Sequence, residues 1–60
     1  MSSENKALLR LYDLVQQYEN GEIKNKQKII SNINKEYLSN NITIDDEIVL
    51  LKKLNELSKK

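Results

Sequence analysis

The sequence predicts an all-α fold, either a short three-helix bundle or a helical hairpin carrying a third helix, completed by oligomerisation. Three observations lead there. The 60 residues include one Gly and no Pro, so almost nothing in the chain breaks a helix. Apolar residues recur at spacings of three and four, the period of a helix that buries one face. Two interruptions, Asn20-Gly21 and Asn40-Asn41, divide the chain into three segments of helical length. These segments are residues 3–20, 24–39 and 43–59 of a single domain spanning 1–60.

The first helix is expected to open at Ser2 or Ser3, either of which can accept a bond from an orphan backbone N–H, with Glu4 complementing the positive end of the dipole. It stops at Asn20-Gly21, because Gly takes the left-handed conformation past a helix end without steric cost. Asn-Gly also suits a hairpin turn, but the flanking segments lack the alternation of strands. The second helix has a less favourable start, since Lys24, Lys26 and Lys28 place positive charge at the positive end of its dipole. Either Asn25 caps it or this end meets an anion. The third helix opens on Thr43-Ile44-Asp45-Asp46-Glu47, in which Thr43 caps, Asp46 reciprocates, and Asp45 and Glu47 favour the dipole. Lys59 and Lys60 suit its other end. Ile42-Thr43-Ile44 is β-branched but has no partner strand.

Placing residues at 100° intervals makes the helices unequal. Ala7, Leu8, Leu9, Leu11, Tyr12, Leu14, Val15 and Tyr18 cover an arc of about 220° on the first, outside which lie Lys6, Arg10, Asp13 and Gln17. Ile44, Ile48, Leu50, Leu51, Leu54 and Leu57 cover about 180° on the third, with Val49 on the opposite side. Ile23, Ile29, Ile30, Ile33 and Tyr37 cover only about 120° on the second, with Leu38 as an outlier. A bundle this thin does not cover so wide an arc on the first and third helices. The surplus marks a protein interface, for which the candidates are Leu8, Leu9, Tyr12, Val15, Tyr18, Val49, Leu50, Leu54 and Leu57. Tyr12 and Tyr18 are the expected anchors, a ring with a polar tip being suited to the boundary between core and water. Coiled-coil spacing lasts under two heptads in either helix, too little for a zipper.

Size points the same way. A chain of this length buries only about 60% of its unfolded surface, so a lone copy is marginally stable. With no Cys there is no disulfide to compensate, and with no Cys or His none of the usual zinc or haem sites can be built. No cofactor is expected. The longest apolar run, Ile48-Val49-Leu50-Leu51, is far from spanning a bilayer, and Met1-Ser2-Ser3-Glu4 lacks the regions of a signal peptide. A soluble cytoplasmic protein without membrane or small-molecule partners is therefore expected. Lys, Asn and Ile make up 24 of the 60 residues, a bias that follows from an AT-rich coding sequence and is compatible with a phage or mobile element.

The net charge of +1 leaves little global attraction for nucleic acid, yet residues 23–42 carry a local excess of +3. Lys24, Lys28 and Lys35 fall within about 40° of one another on the second helix. Asn25, Ser31 and Asn32 lie nearby. The stripe is either a solvated face or a phosphate-tracking one, and three phosphate contacts give only weak binding unless an oligomer multiplies them. A reading helix at the third position is disfavoured, because Asp45, Asp46 and Glu47 would point at DNA.

Catalysis is not expected. There is no His, no phosphate-cradling Gly loop, and no base beside any Ser or Thr. The consecutive carboxylates of Asp45, Asp46 and Glu47 diverge by about 100° per residue instead of converging on a metal. The expected function is that of a non-enzymatic interaction module, a regulator, inhibitor or scaffold acting by surface occupancy on itself or another protein. The alternatives are an oligomeric nucleic-acid binder using the lysine stripe and a structural subunit that folds only within a larger assembly.

Overall fold

The computed structural model describes residues 5–59, in which three helices follow one another: α1 (Lys6–Glu19), α2 (Lys26–Leu38) and α3 (Ile44–Leu57). Each packs against both others, which makes a three-helix bundle of the chain rather than a hairpin with an appended helix. The principal extents are 37 × 21 × 16 Å.

The helix starts are set by side-chain caps. Asn5 caps α1, its side-chain oxygen accepting the Leu8 N–H at 3.1 Å. This corrects the start expected at Ser2 or Ser3, which with Glu4 lie outside the described residues. Asn caps as well as Ser does, and here it stands directly before the first residues that pack, Ala7 and Leu8. Asn25 caps α2 by accepting the Lys28 N–H at 3.3 Å, so of the two expected openings the Asn cap is the one observed. Thr43 and Asp46 form a reciprocal box at α3: Thr43 Oγ1 accepts from Asp46 N at 3.1 Å, and Asp46 Oδ2 from Thr43 N at 3.2 Å.

The first two helices end by the same device. At the end of α1, Gly21 turns left-handed with φ +85°, the Gly21 N–H donates to the Tyr18 carbonyl at 3.2 Å, and the Glu22 N–H donates to that of Gln17 at 2.8 Å. At the end of α2, Asn40 takes φ +62°, its N–H donates to the Tyr37 carbonyl at 3.0 Å, and the Asn41 N–H donates to that of Glu36 at 2.9 Å. Two orphan carbonyls are satisfied each time, and the chain is turned back on itself. An isoleucine then folds inward, Ile23 half-buried and Ile42 only 5% exposed.

Each helix supplies one pair of fully buried side chains spaced by four residues: Leu11 and Val15, Ile29 and Ile33, Leu50 and Leu54. Ile42 closes the core at the α2–α3 connection. Leu8, Leu14, Tyr18, Ile23, Ile30, Tyr37, Leu51 and Leu57 pack around it, partly exposed. Among the described residues no buried side-chain nitrogen or oxygen lacks a hydrogen-bond partner.

Arg10 and Glu36 hold α1 against α2 by an ion pair, with the Glu36 side chain 10% exposed and that of Arg10 56%. The second Glu36 oxygen accepts from Asn41 Nδ2 at 2.7 Å, and the Asn41 carbonyl accepts from Asn5 Nδ2 at 2.6 Å. The start of α1 is thereby tied to the α2–α3 connection. At the opposite end Lys26 Nζ reaches Asn55 Oδ1 at 3.0 Å and Ser58 Oγ at 3.1 Å, joining the start of α2 to the end of α3. The two ties fix the directions: α1 and α3 run the same way and α2 runs against them.

Candidate functional site

With the core closed by two residues per helix and Ile42, and with a half-buried shell around it, six large apolar side chains are left at the surface. Leu9 is 54% exposed, Tyr12 37%, Leu38 69%, Ile44 47%, Ile48 55% and Val49 50%. Their positions follow from helix period. Leu9 and Tyr12 are one turn apart on α1, as are Ile44 and Ile48 on α3. Ile44 and Ile48 lie on the same side of α3 as Asn55, the residue that Lys26 grips, and therefore border α2. Val49 stands about 100° round from Ile48, on the outward side of α3. Asp45 and Lys52 flank this pair on the same outward strip and are exposed.

The expected interface residues divide into three groups. Leu9, Tyr12 and Val49 are exposed, where surplus apolar surface was expected. Leu8, Tyr18 and Leu57 are half-buried against the core rim. Val15, Leu50 and Leu54 are a correction: at 0–1% exposure they are core, not surface. The reason is that each helix turns inward whichever part of its apolar arc meets its two neighbours, so the width of an arc alone does not say which of its residues are left outside.

Ile44 and Ile48 are the converse correction. Both belong to the apolar arc of the third helix but not to the expected interface, and both are about half exposed. The apolar face of α2, about 120° wide, is too narrow to cover the whole edge of α3 that it meets. Leu38, an outlier on its helix from the start, is the most exposed of all.

The lysine stripe is shorter than the expected arrangement. Lys24 precedes the Asn25 cap and so stands off the helix, which leaves Lys28 and Lys35, seven residues apart and both exposed, on one face of α2. Lys26, next to them in sequence, is occupied with α3. Asn32 turns its amide back to the Lys28 carbonyl at 2.8 Å instead of presenting it outward. Two lysines on a helix face supply only a weak, salt-sensitive hold on phosphates.

A recess of about 350 Å³ lies where the ends of α1 and α3 meet the first connection, lined by Tyr18, Glu19, Gly21, Ile23, Lys24 and Leu57. Its floor is apolar and its rim carries one acid and one base. Among the described residues no three acidic, His or Cys side chains converge as a metal site, and no described helix is long and apolar enough to cross a membrane.

Sequence reasoning placed Arg10 outside the packing and missed Glu36 altogether. The signal was present, because Glu36 follows Ile29 by seven and Ile33 by three and thus shares their inward face. An acid there requires a cation from a neighbouring helix, and Arg10 is the one that reaches it.

The chain matches no protein-family model, no curated protein and no solved structure.

Proposed function

We propose that this chain is a non-enzymatic helical interaction module, a regulator, inhibitor or scaffold that acts by occupying a protein surface, and that self-association is part of how it works. The observation that carries this reading is the grouped exposure of large apolar side chains, Leu9 with Tyr12 and Ile44 with Ile48 and Val49, on a bundle whose core is already closed without them. Single exposed apolar residues need no explanation, whereas neighbours at helical spacing form a continuous face that gains free energy when covered. Tyr12 suits the centre of such a contact, because its ring adds apolar area at little entropic cost and its hydroxyl tolerates a wet rim.

The test is site-specific photo-crosslinking in cells that make the protein. A photoreactive phenylalanine analogue replacing Tyr12 or Val49 is expected to give discrete protein adducts, of a second copy or of another protein, several-fold above those from the same analogue at Lys28 or Lys35. Equal or weaker adducts at Tyr12 and Val49 would sink the proposal.

A further inference from the structure

The outward strip of α3 is self-complementary, and we infer that it docks on a second copy of this chain, antiparallel, about a two-fold axis passing between Ile48 and Val49. The inference rests on the interaction-module reading and names its partner. Asp45, Ile48, Val49 and Lys52 all lie within about 100° on one face of α3 and are all exposed. Among the described residues neither Asp45 nor Lys52 enters an ion pair or a side-chain hydrogen bond within the chain. The strip therefore reads acid, Ile, Val, base, with its charges uncommitted.

Symmetry decides what such a strip fits. In a two-fold pair each residue meets its counterpart in reversed order. An axis between Ile48 and Val49 sets Asp45 against Lys52 of the second copy, twice over, and brings Ile48 to Ile48 and Val49 to Val49 of the second copy along the two flanks of the strip. Sliding the axis two residues towards the C-terminus sets Asp45 against Glu56 of the second copy, like against like. Sliding it two residues the other way sets Asp45 against Ile48 of the second copy and covers an apolar side chain with a carboxylate. A parallel pairing brings Asp45 to Asp45 and Lys52 to Lys52. Of these arrangements, the one centred between Ile48 and Val49 joins apolar to apolar and acid to base. The contact is one helix wide, which places it in the class of small interfaces burying less than about 1,200 Å² in total, weak and salt-sensitive.

Sedimentation equilibrium at low salt is to be compared for wild type, Asp45→Lys, Lys52→Asp and an equimolar mixture of the two variants, with helicity checked by circular dichroism. The wild type is expected to dimerise. Each single variant turns two attractions into two repulsions and should dissociate about tenfold more readily. The mixture should recover, because a chain carrying Lys at both places is complementary to one carrying Asp at both. A change that merely harmed the fold would not be rescued by mixing. If Asp45→Lys loses helicity, Ile48→Glu takes its place and must abolish the dimer while the helices persist. The inference is overturned by a wild type that stays monomeric up to the highest concentration reached, by single variants as tightly paired as wild type, or by a mixture no tighter than its components. If it is overturned while adducts at Tyr12 and Val49 persist with another protein, the interaction-module reading stands and the second copy is not the occupant.

Discussion

The two connections of this bundle are built to one plan and held in different ways. Both leave a helix through paired carbonyl contacts, pass a left-handed residue, drop an isoleucine inward and enter the next helix through a side-chain cap. The α2–α3 connection is then fastened: Glu36 and Asn5 both hold Asn41, and Arg10 holds Glu36. The α1–α2 connection is secured by its own backbone, by half-buried Ile23 and, just past its end, by the exposed contacts of Lys26 with Asn55 and Ser58, and it borders the open recess lined by Tyr18 and Leu57. The same local code thus gives one tight end and one looser end. What separates them is tertiary, namely which side chains arrive from other helices.

That difference yields a graded set of expectations, measured as free energies of unfolding in urea. Ile42→Ala opens a cavity beside the core and should cost about 2–5 kcal/mol, whereas Ile23→Ala, at the looser end, should cost about 1–2 kcal/mol. Equal losses would erase the contrast. Arg10→Ala leaves the buried Glu36 carboxylate with Asn41 alone and should cost about 1–3 kcal/mol, while Lys24→Ala on the other connection should stay within about 0.5 kcal/mol. A smaller loss for Arg10 than for Lys24 would show that the polar tie does not hold the tight end. Gly21→Ala should cost about 1–2 kcal/mol, and the loss is purely one of backbone conformation, because a Cβ there meets no atom within 4 Å. Asn40→Gly should shift stability by no more than about 0.5 kcal/mol, since relief of the left-handed strain is offset by the greater entropy of Gly in the unfolded chain. A large gain from Asn40→Gly would mean that Asn40 is strained and that the tight end is held in spite of its turn.

The local code was legible in the sequence. Gly21 announced its turn, Thr43 and Asp46 their box, and the three-and-four spacing gave three helices and the inward residues Leu11, Ile29 and Ile33. Asn40 was legible as an interruption but not as a left-handed residue, because Asn also caps starts, as Asn5 and Asn25 do here. Ile42 was read only as a β-branched residue in a linker, yet it belongs to the core, since the turn at Asn40 aims it inward. What a linear reading could not supply was how much of each apolar arc the neighbours cover. Val15 and Leu54 sit towards the middle of their arcs and disappear inside, Leu50 does so close to one edge of its arc, and Ile44 and Ile48 at the other edge stay about half exposed. The exposed face was foreseen in kind and half in place: Leu9, Tyr12 and Val49 stand where surplus was expected, and the isoleucines of α3 do not.

The central claim is that folding and association use separate side chains of this small bundle, the inner pair of each helix for one and the outer edges for the other. The most direct test is sedimentation equilibrium of the wild type beside a variant carrying both Ile48→Glu and Val49→Glu, each with its thermal melt followed by circular dichroism. The account predicts that the wild type approaches twice the chain mass as concentration rises, and that the variant remains at the single-chain mass with undiminished helicity. A wild type of single-chain mass throughout, or a variant that loses its helices, would contradict it.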